Sequence, residues 1–206
     1  MIFNEVQLIF NEVQQYLNFE FEYFERQKKM VRQVIVFRGV PGSGKTTQAE
    51  QYFYDMLGYG KVVYCNRDEI RRETVTRLLK MGEDFGLDIP NYLHPNEDQI
   101  ERCYQLSFRD KRIDKIVSEE WWYEVMACLQ SDVDTVIIDF TCIDFFDIST
   151  LADMIRQSDR VSICFECTGK YKSVHDVPDF VMMKFKKCQE NTRGLVKKVF
   201  DKFQYI

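Results

Sequence analysis

Histidine is scarce in this chain of 206 residues, and no apolar run is long enough to cross a bilayer. The two histidines, His94 and His175, stand alone without metal-ligand spacing, so we assign neither of them a role. The first residues, M-I-F-N-E-V, lack the basic region with which a signal peptide begins. We therefore expect a cytoplasmic protein that has no membrane partner.

Cysteine is more frequent, but its spacing does not support a zinc site. Cys164 and Cys167 form a C-x-x-C pair within V-S-I-C-F-E-C, which has the pattern of a strand. Positions three apart on a strand face opposite sides, and no second pair completes a zinc site. We expect buried, reduced thiols at all seven positions, which are Cys65, Cys103, Cys128, Cys142, Cys164, Cys167 and Cys188.

A surplus of positive charge is also missing, because the net charge is −5. Surfaces that coat nucleic acid broadly are basic, so this balance argues against one. The charge is uneven, however, since residues 168–206 hold nine Lys and Arg against four Asp and Glu. This basic region could contact phosphates locally, although a solvated helix face accounts for most such runs.

The strongest motif runs from Val34 to Thr47 and reads V-I-V-F-R-G-V-P-G-S-G-K-T-T. A short β-branched run is followed by a glycine-rich turn and a helical segment, which is the context that supports a Walker A motif. Glycines permit the positive φ angles that aim backbone N–H groups at a phosphate, and the helix start adds more. The predicted nucleotide-binding residues are Gly39, Pro41, Gly42, Ser43, Gly44, Lys45, Thr46 and Thr47.

Three side chains are predicted to act on the nucleotide and its metal. Lys45 can reach the β- and γ-phosphates of ATP, and the Thr46 hydroxyl can hold Mg²⁺. Asp139 ends the apolar run T-V-I-I-D as a Walker B aspartate does, so it could bind Mg²⁺ through water or hold a basic lid residue. ATP and Mg²⁺ are therefore the expected cofactors.

Strands and helices alternate along the chain, which predicts an α/β fold. We expect a parallel sheet of about four strands with helices on both faces, and ligands beyond the carboxyl ends of the strands. The stretch 97–129 indicates one long helix or two, and a helix over 179–203 leaves open a break near Gly194. The predicted strands cover 34–37, 61–65, 135–139 and 160–166.

Residues 1–30 hold an immediate repeat, I-F-N-E-V-Q-L followed by I-F-N-E-V-Q-Q, ahead of a single domain over 31–206. Apolar residues such as Val6, Ile9 and Val13 recur there at helical spacing. About two heptads match, which is fewer than a coiled coil requires. We expect an amphipathic helix that packs on the domain, with a homo-oligomer contact as the alternative.

The tripeptide Asn66-Arg67-Asp68 follows the second predicted strand directly, at the ligand edge of the sheet. Asp68 is predicted to accept the proton of an attacking hydroxyl, and the alternative is that it caps a helix beginning near Glu69. Arg71 lies three residues further on, on the same helix face. Its guanidinium could hold a substrate phosphate, and a surface arginine is the alternative.

Two further groups leave a choice between function and structure. Lys170 and Lys172 lie in T-G-K-Y-K-S after the fourth strand, where a mobile basic segment could close over the phosphates or remain a solvated loop. Trp121, Trp122 and Tyr123 follow a basic cluster and could stack single-stranded bases. Aromatic residues at helical spacing belong more often to a core.

Four strings together resemble the P-loop kinases related to bacteriophage 5′-polynucleotide kinase. They are G-V-P-G-S-G-K-T-T, C-N-R-D-E-I-R, V-I-I-D-F-T and V-P-D-F-V-M-M-K-F, spread over residues 33–187. The P-loop alone is generic, whereas the N-R-D-x-x-R string is more specific. The resemblance implies transfer of the ATP γ-phosphate to a 5′-hydroxyl of DNA or RNA, with Asp68 as general base, Arg71 as substrate-phosphate ligand and a lid after the fourth strand.

The chain departs from that family at two places. The family motif S-D-T-N is replaced by Asp139-Phe140-Thr141-Cys142, and the expected lid arginine is replaced by Lys170 and Lys172. We assign Lys170 to the nucleotide and Lys172 to catalysis. The D-x-D-G-T string of the phosphatase domain often fused to such enzymes is missing, so we expect no phosphatase activity.

The sequence thus predicts a P-loop phosphotransferase that acts on a nucleic acid hydroxyl, in DNA modification or repair, in the host cytoplasm if a phage encodes it. Kinases of 5-hydroxymethyluridine in DNA, or of a free nucleoside or nucleotide, are alternatives. A non-catalytic nucleotide-binding interaction module is a rival from another class. The predicted catalytic residues are Lys45, Asp68, Arg71, Asp139 and Lys172.

Overall fold

A computed structural model describes residues 31–83, 85, 94–141, 144–169 and 179–206. The predicted helix and oligomer contact of residues 1–30 lie outside the described residues, as do the lid lysines Lys170 and Lys172. In the part of the chain that the structure describes, no helix is long and apolar enough to cross a membrane.

The described residues form a single parallel sheet with the strand order β2-β3-β1-β4-β5. Its strands are β1 (Gln33–Arg38), β2 (Val62–Asn66), β3 (Thr135–Asp139), β4 (Val161–Glu166) and β5 (Lys202–Tyr205). The helices are α1 (Lys45–Met56), α2 (Arg67–Lys80), α3 (Glu97–Ser107), α4 (Lys111–Gln130), α5 (Phe145–Arg156) and α6 (Asp179–Val199). The stretch 97–129 therefore contains two helices, and α6 continues through Gly194 without a break.

The sheet has five strands, so the prediction of about four is wrong by one. The expected final helix ends at Val199, and Lys202–Tyr205 pairs with β4 as an edge strand. The Asp201 carboxylate accepts hydrogen bonds from the backbone N–H and the hydroxyl of Ser162, both at 2.7 Å, and so holds this turn against β4. A four-residue strand whose partner is remote in sequence carries no local signal of its own.

Helices cover both faces of the sheet, as predicted. Val34 and Val36 of β1 face a core that they share with α4, α5 and α6. Ile35 and Phe37 of the same strand face the opposite core, which is closed by α1. Because the strands are all parallel, their carboxyl ends meet at one edge, and the chain segments that follow β1, β2 and β3 are brought together there.

The burial of Trp121 shows whether the aromatic cluster on α4 belongs to the core or could stack on nucleobases. Its side chain is fully buried, and its ring centre lies 5.2 Å from that of Phe140, which follows β3. It belongs to the core between the sheet and the helices on one face. The prediction that these aromatics belong to the core is therefore confirmed for Trp121, and the alternative of a stacking platform built on it is wrong.

A buried charge network joins β1, β4 and α6. Arg38 and Glu166 are both 0% exposed, with Nε of the arginine 3.5 Å from Oε2 of the glutamate. Nη2 of Arg38 also donates to the carbonyl of Gln189 and the hydroxyl of Thr192. Arg193 donates to the other oxygen of Glu166 at 2.9 Å. Since Arg38 is the last residue of β1, this network lies directly behind the P-loop.

Replacing Glu166 with leucine should leave Arg38 buried beside no counter-charge and lower the free energy of unfolding by about 3–5 kcal/mol. The double variant Arg38→Met/Glu166→Leu should recover most of that loss, because apolar side chains replace a buried ion pair at little net cost. Urea unfolding measures both. Asp132→Asn, which breaks an exposed pair with Lys61, is the control and should leave the midpoint unchanged. A Glu166→Leu variant as stable as the wild type would contradict this account.

Candidate phosphate-binding and acceptor site

The P-loop connects β1 to α1 and lines a cavity of about 550 Å³. Gly42 and Gly44 adopt left-handed backbone conformations, with φ of 77° and 86°, which suit glycine. No side chain of the described residues caps the start of α1, so its first N–H groups remain available to a phosphate. The cavity is lined by Gly42, Ser43, Gly44, Lys45, Thr46, Thr47, Gln48, Cys167, Gly169 and Ile206.

The chain after β4 packs directly on the P-loop, a contact that the sequence analysis did not predict. A Cβ atom on Gly169 would lie 2.7 Å from the carbonyl oxygen of Ser43. One on Gly39 would lie 2.4 Å from the Ser43 hydroxyl and 3.0 Å from the Cys167 carbonyl oxygen. Glycine at these two positions therefore permits the close approach. Pro41, another predicted nucleotide ligand, lies in the P-loop between Gly39 and Gly42.

Asp139 brings the end of β3 to the P-loop. Its side chain is buried, and Oδ2 accepts hydrogen bonds from the Tyr64 hydroxyl at 3.1 Å and the Asn66 amide at 3.4 Å. Burial raises the pKa of Asp139, while the charge of Lys45 and the Thr46 hydroxyl lower it. The structure thus places three predicted residues, Asp139, Lys45 and Thr46, next to one another.

The surroundings of Asp139 fit a magnesium ion bound mainly by phosphate and water. Its Oδ1 is buried and has no hydrogen-bond partner within the described residues. Over the same part of the chain, no group of three or more His, Cys, Asp or Glu side chains could hold a metal by itself. Because Mg²⁺ commonly takes one or two carboxylates together with waters and substrate phosphates, Thr46 and Asp139 suffice as the proposed protein ligands.

Asn66, the last residue of β2, caps helix α2. Its side-chain oxygen accepts hydrogen bonds from the backbone N–H groups of Asp68 at 2.8 Å and Glu69 at 3.4 Å. Helix α2 therefore begins at Arg67, and the alternative in which Asp68 caps it is wrong. The Asp68 carboxylate is exposed, and its charge adds to burial in raising the pKa of Asp139. Asp68 thus lies on the same edge as the P-loop.

Arg71 is held by protein groups and is buried. Its Nη1 donates to the Ser107 carbonyl at 3.2 Å, and its Nη2 pairs with Asp114. The guanidinium carbon also lies 4.4 Å from the centre of the Phe108 ring. In this arrangement Arg71 joins α2 to α4 and to the end of α3. A substrate phosphate would have to replace Asp114, and the phosphate-binding role of Arg71 stays a prediction.

Arg67 and Asp147 also belong to this edge, although the sequence analysis assigned neither a catalytic role. Nη2 of Arg67 donates to the Ser118 hydroxyl at 2.7 Å, and its Nε is buried without a partner among the described residues. Burial and then the charge of Asp144 raise the pKa of Asp147 to about 6, and the charge of Arg67 opposes that shift. The strand ends that precede α2 and α5 are register partners, Asn66 and Asp139, so both helices follow the same edge of the sheet.

A groove of about 690 Å³ opens beside β2, between α2 and α4. Its lining is strongly acidic, so it repels the backbone of a nucleic acid. The groove is lined by Glu69, Glu73, Glu119, Glu120, Glu124, Tyr64, Cys65, Asn66, Ile70 and Tyr123.

No family model matches the chain, and no curated protein matches its sequence. A solved structure from the PezAT chromosomal toxin–antitoxin system of Streptococcus pneumoniae is similar, with a TM-score of 0.49 and 15% identity. That match covers 85% of this chain and 66% of the other, so this chain spans about two thirds of its length. A proposed kinase from Chloroflexus aurantiacus has a TM-score of 0.40 and 12% identity, with 85% of each chain covered. Both likenesses are distant, and neither assigns a function to this chain.

Replacing Gly169 with alanine should displace the P-loop, because the new Cβ would meet a backbone oxygen that cannot rotate away. We expect binding of ATP with Mg²⁺, measured by calorimetry, to weaken by about tenfold, the equivalent of roughly 1.4 kcal/mol of overpacking. Gly58→Ala is the matched control, since a Cβ there meets no atom within 4 Å. Equal affinity of the Gly169→Ala variant and the wild type would show that the contact does not position the loop.

Asp147→Asn should stabilise the protein near pH 7.5 and have little effect near pH 4. Folding raises the pKa of the Asp147 carboxyl from 3.8 to about 6, so the protonated form favours the folded state. The ionised form destabilises the folded state, and this effect develops as the pH rises from 3.8 to above 6. Thermal unfolding at the two pH values measures the difference. Asp153→Asn, in an exposed pair with Arg156, is the control. A gain of the same size at both pH values would contradict the assignment.

Proposed function

We propose that this protein is an ATP- and Mg²⁺-dependent phosphotransferase that moves the γ-phosphate of ATP to a hydroxyl group. The main observation behind the proposal is that the carboxyl ends of β2 and β3 lie together beside the P-loop. Asp139 lies beside Lys45 and Thr46, and the exposed Asp68 lies on the same edge, free of the helix cap. Nucleotide binding alone requires no such second carboxylate, whereas phosphoryl transfer uses one to accept the proton of the attacking hydroxyl.

Each residue has one role in the proposed reaction. Lys45 and the loop amides hold the β- and γ-phosphates. Asp68 accepts the proton of the acceptor while the acceptor oxygen bonds to the γ-phosphorus and the bond from that phosphorus to ADP breaks. Bound at Thr46 and Asp139, Mg²⁺ would offset the phosphate charge. Lys172 or Lys170 is proposed to neutralise the transferring group in place of the arginine of similar kinases.

The acceptor we propose is the 5′-hydroxyl at an end of DNA or RNA. The net charge of −5 and the glutamates of the groove disfavour a long nucleic acid tract, whereas a chain end requires contact with a small area only. Arg67 and Arg71 lie on either side of Asp68 in the sequence and both contact Asp114, so an acceptor phosphate that replaced Asp114 would meet their positive charge. Hydroxymethylated bases in DNA and free nucleosides remain the alternative acceptors for the same chemistry.

A panel of acceptors tests this proposal. The wild type would be given γ-labelled ATP with a 5′-hydroxyl oligonucleotide, DNA that contains 5-hydroxymethyluridine, or free nucleosides. Label in the first alone supports the 5′-end, and label in another identifies that acceptor instead. Nucleotide binding without label in any acceptor would favour a non-catalytic nucleotide-binding module.

Asp68→Asn should slow phosphoryl transfer by about 10²–10⁴-fold, because asparagine has nearly the same shape but cannot accept the proton. The dissociation constant for ATP should stay at the wild-type value, since Asp68 is assigned to the acceptor. Rapid-quench kinetics and calorimetry measure the two quantities. Glu69→Gln, an exposed carboxylate one residue further on, is the control. Wild-type transfer by Asp68→Asn with ATP still bound would contradict the assignment of the base.

A further inference from the structure

Two adjacent aromatic side chains protrude at the start of helix α5. Phe145 is 66% exposed and Phe146 is 71% exposed, although nearby Phe140 is buried. Asp144 caps the helix by accepting a hydrogen bond from the Asp147 N–H at 2.8 Å, which places the two phenylalanines in its first turn. Adjacent phenylalanines exposed to this degree present apolar surface that no strand or helix among the described residues covers.

The pair lies at the edge of the sheet that carries the candidate site. The chain passes from Asp139 to Thr141, whose carbonyl accepts a hydrogen bond from the N–H of Gly39 at 3.3 Å, and α5 begins shortly afterwards. Asn66 and Asp139 are register partners at the ends of the neighbouring parallel strands β2 and β3, so the first turn of α2 and the chain that leads to α5 leave the sheet at adjacent points of one edge. That turn of α2 contains Asp68. The aromatic pair therefore lies at the same edge of the sheet as Asp68.

The charges near Phe145 and Phe146 determine which kind of ligand can bind to these side chains. Asp144 and Asp147 flank the two phenylalanines in the sequence at the start of α5, and their carboxylates would repel a phosphate. A planar ring with donor groups at its rim fits better, because its face stacks on phenylalanine and its rim can donate to the carboxylates. Nucleobases have this form, and stacking on aromatic side chains holds bases of any sequence.

We propose that Phe145 and Phe146 form a stacking surface for the terminal base of the acceptor. The inference rests on the proposed function, in which Asp68 deprotonates a hydroxyl on a nucleotide at a chain end. Stacking there would orient the sugar so that its hydroxyl faces Asp68, and it would supply affinity without contacts along the phosphate backbone. The acceptor class is therefore a nucleic acid end that carries a base at its last position.

The test compares two 5′-hydroxyl oligonucleotides that differ only in whether the first residue carries a base or is abasic. For the wild type we expect KM to be about tenfold lower with the base present. The variant Phe145→Ala/Phe146→Ala should raise KM for the base-bearing end to that of the abasic end. Phe145→Trp/Phe146→Trp should retain the preference. Tyr59→Ala removes another exposed aromatic side chain, in the turn after α1, and is the control.

A second measurement separates failure of this inference from failure of the proposed function. A trinucleotide with 2-aminopurine at its 5′-end loses fluorescence when the base stacks, whether or not phosphate is transferred. Quenching by the wild type that is lost in the double alanine variant supports the stacking surface even if no acceptor is labelled. An unchanged base preference in that variant, or equal quenching by both proteins, would overturn it. Circular dichroism confirms that the variants are folded.

Discussion

Close packing around Ser43 is the constraint on which this edge of the molecule depends. The P-loop lies against the chain after β4, and a side chain at Gly39 or Gly169 would collide with it. The buried pair of Arg38 and Glu166 precedes both segments directly, and separating its charges in a dry environment is costly. The backbone amides of the P-loop are therefore positioned by two glycines and one ion pair whose contacts are within the protein.

Asn66 connects the two halves of the candidate site. Its side-chain oxygen caps α2 and so orients the turn that carries Asp68, while its amide donates to Asp139 beside the P-loop. The electrostatic charge also differs between the two halves of the candidate site. The positive charge of Lys45 stabilises the buried Asp139 carboxylate. The glutamates between α2 and α4 instead repel anions from the groove beside β2.

Features whose signal lies within one short segment could be predicted from the sequence. Thr135–Asp139 forms β3 as expected, because a β-branched run buried on both faces differs clearly from its polar neighbours. The left-handed glycines of the P-loop are likewise a local property. Features that depend on remote partners could not be predicted. The strand β5 requires β4, the approach of Gly169 requires the folded loop, and the burial of Arg71 requires α3 and α4.

A single-turnover reaction tests the central claim most directly. Enzyme in excess over γ-labelled ATP and Mg²⁺ would be mixed with a 5′-hydroxyl oligonucleotide, and the label followed in oligonucleotide, inorganic phosphate and remaining ATP. We expect one label on the oligonucleotide, as an acid-stable phosphomonoester, for each ADP formed. If ATP binds but stays intact, or if all the label from cleaved ATP appears as inorganic phosphate, Asp68 and the P-loop do not form a phosphoryl-transfer site for this acceptor.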